Sequence, residues 1–88
     1  MSLDRLLSVR TEFVISVSEP VLNELLDRLL EHGIINDGEM QSVRIKAKAD
    51  KARDVIDTVR RKGRAALEVL IAALCQVDPF LSRHLRLI

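Results

Sequence analysis

The sequence predicts an all-α fold, an antiparallel bundle of six short helices, on three observations. Apolar residues recur at three- and four-residue spacing and nowhere alternate with period two. Helix-start signatures return along the chain at Ser18 with Pro20, Asn36 with Glu39, and Asp78 with Pro79. Only two prolines and three glycines interrupt 88 residues, so the turns are short and no linker, repeat or low-complexity tract separates domains. One domain over residues 1–88 is expected.

The first helix is expected over residues 2–17, where Leu3, Leu6, Leu7, Phe13, Val14 and Val17 make the stripe. Arg10 falls where that stripe should continue, so this helix is expected to be bent or split near its middle. Ser18, Glu19 and Pro20 supply an N-cap, a first-turn acid and a first-turn proline. The second helix carries Leu22, Leu25, Leu26, Leu29 and Leu30 on one face and Glu24, Asp27 and Glu31 on the other. Gly33, after His32, provides its left-handed stop.

Asn36 and Glu39 have capping-box spacing and open a third helix with Met40, Val43 and Ala47 on one side. Asp50 is positioned to cap a fourth, whose inner face is Ala52, Val55, Ile56 and Val59 and whose end is Gly63. Residues 64–77 are apolar around most of their circumference through Leu67, Leu70, Ile71 and Leu74, which marks a central helix. Asp78 and Pro79 then start a short sixth helix with Phe80, Leu81 and Leu85.

At 48% hydrophobic and 31% charged residues, the chain is too apolar for a disordered one. No apolar run approaches the about 20 residues that span a bilayer, and the opening residues lack a signal-peptide layout. A single cysteine, Cys75, excludes an internal disulfide framework and suits a reducing compartment. A soluble cytoplasmic domain is expected, with no membrane partner.

The residues of catalysis are scattered. Cys75 sits on the most apolar helix, where a free thiol packs as a small core residue, far in sequence from His32 and His84. One cysteine and two distant histidines make no zinc pattern, and Gly33, Gly38 and Gly63 make no phosphate loop. Asp54 and Asp57 share a helix face with Lys51, Arg53, Arg60 and Arg61 around them, a setting for ion pairs rather than acid–base work. No enzyme, metal or cofactor is expected.

Binding remains, and charge points to it. The net charge of +1 conceals a split: residues 1–44 hold four bases and eight acids, residues 45–88 ten bases and five acids. Residues 19–39 hold six acids and one base, residues 44–64 nine bases and three acids. Opposite surfaces of this kind attract each other between copies. A nucleic-acid reading of the basic stretch is the alternative from another class. Against it stand the absence of Tyr and Trp for base stacking and a pI of about 8.0.

Several segments together carry a resemblance: Leu25-Leu26-Asp27-Arg28-Leu29-Leu30, Ile34-Ile35-Asn36, Glu39-Met40, Asp50-Lys51-Ala52-Arg53, Val55-Ile56-Asp57 and Lys62-Gly63. With Phe13 in the first helix and Asp78-Pro79 before the last, their order and spacing resemble a caspase-recruitment domain (CARD) over essentially the whole chain. The likeness is to the prodomains of inflammatory caspases and the CARD-only decoys related to them.

The resemblance implies a six-helix Greek-key death fold with the first helix bent or split. It also implies homotypic assembly, in which a basic surface on helices 1 and 4 meets an acidic surface on helices 2 and 3 of a neighbour. Carried over by position, Arg10 and Arg53 fall on the basic side and Asp27 on the acidic side. Helical geometry adds Lys51 and Arg60 to the first, and the resemblance implies an acidic side anchored by Asp27 with Glu24, Glu31 and Glu39 around it. Further contacts, through residues 46–50 and through the fifth and sixth helices, build helical filaments in the family.

Close members often carry bases where this chain has Thr11 and Ile15, which shifts the basic role toward Arg53, Lys51 and Arg60. The junction between helices 3 and 4 is also two residues shorter than in mammalian inflammatory caspases. The expected partners are a CARD-containing adaptor, sensor or procaspase, and other copies of the chain. The expected function is recruitment and clustering of an inflammatory caspase in inflammasome or cell-death signalling, or, alternatively, inhibition of that recruitment as a decoy.

Overall fold

A computed structural model describes Leu6 and residues 8–87. Every element in it is helical: α1 (Arg10–Ser16), α2 (Glu19–Glu31), α3 (Asp37–Arg44), α4 (Lys48–Lys62), α5 (Arg64–Val77) and α6 (Pro79–His84). Leu3 and Leu7 of the expected first stripe lie outside the described residues. The expected break in the first helix falls at Val9, whose φ of −106° and ψ of 21° leave helical geometry just before α1 begins. The reason is Arg10: its guanidinium reaches across to Asp57 on α4 rather than joining the stripe.

Local chemistry fixes most boundaries where the sequence places them. The Ser18 hydroxyl accepts the Val21 N–H at 3.4 Å, and Pro20 occupies the first turn of α2. Asn36 and Glu39 close a reciprocal capping box on α3, at 2.8 and 3.0 Å. Asp78 accepts the Leu81 N–H at 3.0 Å and starts α6. Each such cap satisfies a donor that the helix itself cannot, worth about 1 kcal/mol.

Helix α2 ends in a Schellman motif: Gly33 N–H bonds Leu30 C=O and Ile34 N–H bonds Leu29 C=O, with Gly33 at φ 71°. The same pair of bonds ends α6, with Arg86 at φ 60° in the position glycine prefers. Between α4 and α5 a single residue, Gly63 at φ 109° and ψ −174°, serves as the end of one helix and the start of the next. Nothing stands within 4 Å of where a Cβ would go, so backbone conformation alone demands glycine there.

Three expectations are corrected. Helix α4 begins at Lys48, not after Asp50; Ala47 is its N-cap without a side-chain bond, and Asp50 instead sits in the first turn, where an acid complements the helix dipole. Ala47, expected on the inner side of α3, is exposed because α3 has already ended at Arg44. Phe80 parts company with Leu81 and Leu85: those two are buried, whereas Phe80 is 80% exposed with the Arg83 guanidinium over its ring.

The core is aliphatic apart from Phe13, with Leu22, Leu25, Leu26 and Leu29 from α2, Val55, Ile56 and Val59 from α4, and Leu70 and Leu74 from α5. Burying each such side chain contributes about 1.5–3 kcal/mol. Helix α5 is central, packing on α2, α4 and α6, while α1 packs on α4. The pairings α2 with α5 and α1 with α4 skip intervening elements, so the chain wraps around itself rather than running simply up and down. Among the described residues no helix is long and apolar enough to cross a membrane.

Candidate interaction faces

Helix α4 sets the basic side. Its buried stripe through Lys51, Ala52, Val55, Ile56 and Val59 turns Arg53, Asp57, Arg60 and Arg61 outward, since residues two apart on a helix lie about 200° round the axis. Helix α1 packs beside it, and Arg10 grips Asp57 through two parallel bonds, Nε to Oδ1 at 3.0 Å and Nη2 to Oδ2 at 2.8 Å. The hydrogen bonds from Arg10, with the positive charge of Arg60 and Arg61 nearby, hold the Asp57 carboxyl below the usual carboxylate range. Arg10, Asp57, Arg60 and Arg61 line an open basin of about 650 Å³, three guanidinium groups against one carboxylate.

Helix α2 sets the acidic side. With Leu22, Leu25, Leu26 and Leu29 buried, Glu24, Asp27 and Glu31 face away from the core. They line a second open basin, of about 670 Å³, with Arg28, Leu30 and His32. Here three carboxylates stand against one guanidinium.

Most of the charges expected at these faces are already paired inside the subunit. Asp27 accepts from Arg44 at 2.7 Å, and Glu24 from Arg28 at 3.3 Å. Arg28 also reaches Gln76 on α5 at 2.7 Å. Arg53 donates to Asp50 at 3.0 Å, one turn earlier on its own helix. Glu39 accepts from Lys62 at 2.9 Å, and that bond, aided by the Asn36 backbone N–H, pulls its carboxyl below the ordinary value. Glu31 and Arg60 make no hydrogen bond or ion pair among the described residues.

Lys51 is the residue whose position differs most from expectation. Assigned to the exposed basic face, it is only 3% exposed. Its Nζ lies 2.7 Å from Glu19 Oε2 and 3.1 Å from Asn23 Oδ1, so it points inward to the first turns of α2. The cause is register: Lys51 falls one turn before Val55 on the buried stripe, and its ammonium is admitted because two oxygens of α2 await it. Arg53, about 200° away round the helix from Lys51, is exposed.

Asp57 and Arg61 belong to the basic side although no sequence argument assigned them there. The expectation that Asp54 and Asp57 are ion-paired is met, but by distant partners: Lys46 for Asp54 and Arg10 for Asp57. The signals were a misplaced charge, Arg10 in an apolar stripe, and for Arg61 its place in the basic stretch over residues 44–64. Residues 46–50 present exposed Lys46 beside exposed Ile45, while Lys48 Nζ donates to the Ile15 carbonyl at 3.2 Å. A cleft of about 440 Å³ between α2, α3 and α4, floored by Leu26, Leu29, Ile35 and Val55, meets the basic basin at Arg61, which lines both. Among the described residues no group of acids, histidines and cysteines is placed to hold a metal.

The family model described as caspase recruitment domain matches residues 3–87. Caspase-1 of Equus caballus is 44% identical over 80 residues, which cover 89% of this chain and 20% of that protein. Caspase recruitment domain-containing protein 16 of Homo sapiens is 36% identical over 80 residues, covering 89% of this chain and 41% of that protein. Putative caspase recruitment domain-containing protein 17P of Homo sapiens is also 36% identical over 80 residues, and there the match covers 73% of the relative. The chain thus spans about a fifth of the length of the caspase-1 relatives it matches. No solved structure matches it. Six helices from Arg10 to His84 in a wrapped bundle, and a match that takes in all but the outermost residues, make this chain a member of the caspase recruitment domain family, an interaction module with no catalytic part within the matched span.

Proposed function

We propose that this domain recruits and clusters an inflammatory caspase in the cytoplasm, in inflammasome or cell-death signalling, by docking its basic side onto the acidic side of a neighbouring CARD. The observation that carries the reading is the pair of oppositely charged basins, Arg10, Arg60 and Arg61 at the α1–α4 junction and Glu24, Asp27 and Glu31 along α2. Unlike faces join head to tail, and a rotation that does not close extends the contact into a filament. One exposed ion pair contributes only about 0.2–1 kcal/mol, so single contacts are weak. A subunit that touches several neighbours at once converts weak contacts into a concentration threshold.

Light scattering on the wild-type chain and on variants at Asp27 and Arg53 tests this. The reading requires concentration-dependent assembly that charge reversal removes. Assembly left unchanged by charge reversal anywhere on the two sides overturns it.

A second reading, a decoy that blocks caspase recruitment, is supported by the match to relatives of which this domain forms a large share, 41% and 73% of their length. Adding the chain in small amounts to an assembling caspase-1 CARD separates the two. A recruiter speeds assembly, whereas a decoy caps and slows it.

A further inference from the structure

We infer that the first contact between two copies of this chain is made by Glu31 of one and the adjacent Arg60 and Arg61 of the other. The inference rests on the reading of two complementary charged sides and says which residues on them act.

Among the charges of the two basins, internal pairing selects these three. Arg10, Arg53, Glu24, Asp27 and Glu39 each hold an ion-pair partner within the subunit. A neighbour that recruits one of them replaces an existing exposed pair with another of similar strength, so the net gain is small. Glu31, Arg60 and Arg61 are exposed and make no hydrogen bond or ion pair among the described residues. Contacts to them add attraction without breaking a hydrogen bond or ion pair; Arg60 and Arg61 attract Asp57 only through space.

Position points the same way. Glu31 is the last residue of α2, where the helix carbonyls already concentrate negative charge, so the fold itself disfavours an acid there. Its neighbours Arg28 and His32 do not compensate it: the Arg28 guanidinium is engaged with Glu24 and Gln76, and the His32 ring lies against the Arg28 carbonyl. Arg60 and Arg61 stand on either side of Asp57, whose carboxylate is occupied by both bonds from Arg10. A carboxylate entering that basin meets two guanidinium groups that hold no ion pair, a match in charge and in donor chemistry. The occupant is therefore the α2 end of a second copy.

Charge complementation in the full chain provides the test, read by light scattering at low salt. Glu31→Arg alone, and Arg60→Glu with Arg61→Glu in a second chain, are each expected to raise the threshold for assembly by about fivefold to tenfold. Mixed, these two chains are expected to assemble again, because every junction of an alternating polymer then joins opposite charges. Glu31→Gln is expected to melt no lower than wild type while assembling less readily, and Arg60→Gln with Arg61→Gln to weaken assembly should the double reversal disturb α4.

If the two impaired chains fail to complement each other, the inference is wrong. It is also wrong if the Glu31, Arg60 and Arg61 variants all assemble normally while Asp27→Lys and Arg53→Glu do not, an outcome that leaves the two-sided reading standing. Normal assembly in every variant overturns both.

Discussion

Arg10 and Asp57, separated by 47 positions, form a bidentate ion pair that ties α1 to α4, with Nε–Oδ1 and Nη2–Oδ2 distances of 3.0 and 2.8 Å. Their side chains are 34% and 42% exposed, so solvent screens the pair and its contribution is about 1 kcal/mol. The break in the first helix, the orientation of α1 and the composition of the basic basin all pass through this contact.

Acid should remove that contribution. The Asp57 carboxyl is held below its ordinary value by Arg10, so its stabilisation is fully present above the unfolded value of about 3.9 and is lost as pH falls through the folded one. Asp57→Asn is expected to unfold at lower urea than wild type at pH 7, and the gap should narrow at about pH 3. Equal gaps at both values would show that the charge on Asp57 does not matter to stability.

Lys51 and Arg53 should behave oppositely although two residues apart. Lys51→Glu sets a carboxylate into a buried site facing Glu19 and is expected to cost about 3 kcal/mol of unfolding free energy. Lys51→Met fills the site without a charge and should cost less than about 1.5 kcal/mol. Arg53→Glu, on the outer face, should change stability by less than about 1 kcal/mol. Chemical denaturation of the three chains decides, and a Lys51→Glu chain as stable as wild type would contradict the burial.

Asp27→Lys and Arg53→Glu are each expected to reduce self-association with helicity intact, read by light scattering and circular dichroism together. Raising salt from about 0.05 to about 0.5 M should slow nucleation, because the screening length falls well below about 10 Å. Assembly indifferent to salt would locate the driving force in apolar contacts, where exposed Ile15, Ile45 and Phe80 would be the residues to examine.

Two glycines should differ in what they tolerate. Gly33→Ala places a Cβ in the left-handed region and is expected to cost about 1–2 kcal/mol. Gly63, at φ 109° and ψ −174°, occupies a region that is essentially glycine's alone, so Gly63→Ala should cost more, up to about 3 kcal/mol. Thermal melts of both variants test the ranking, and equal losses would refute it.

Much of this architecture was legible in the sequence because its signals are local. Ser18, Asn36 and Asp78 cap the helices they precede, and Gly33 and Gly63 stop the ones they follow, since each works through bonds or dihedrals within a few residues. What local pattern could not carry is which distant group each charge meets. Lys51 reads as a surface base until Glu19 and Asn23 are brought to it, and Asp57 reads as a partner for bases of its own helix until Arg10 arrives from α1. The start of α4 was misplaced for a related reason: Ala47 caps nothing with its side chain, so a boundary exists there without a signal.

Gly63 leaves no slack between α4 and α5, and this makes α4 a lever. The helix has 15 residues and is thus about 22 Å long. A tilt of about 10° at its glycine end would swing the opposite end by about 4 Å, as far as an ion pair can reach. Substitution at this half-buried elbow would therefore mis-aim residues toward the far end, such as Lys48 and Asp50, even where the domain still folds.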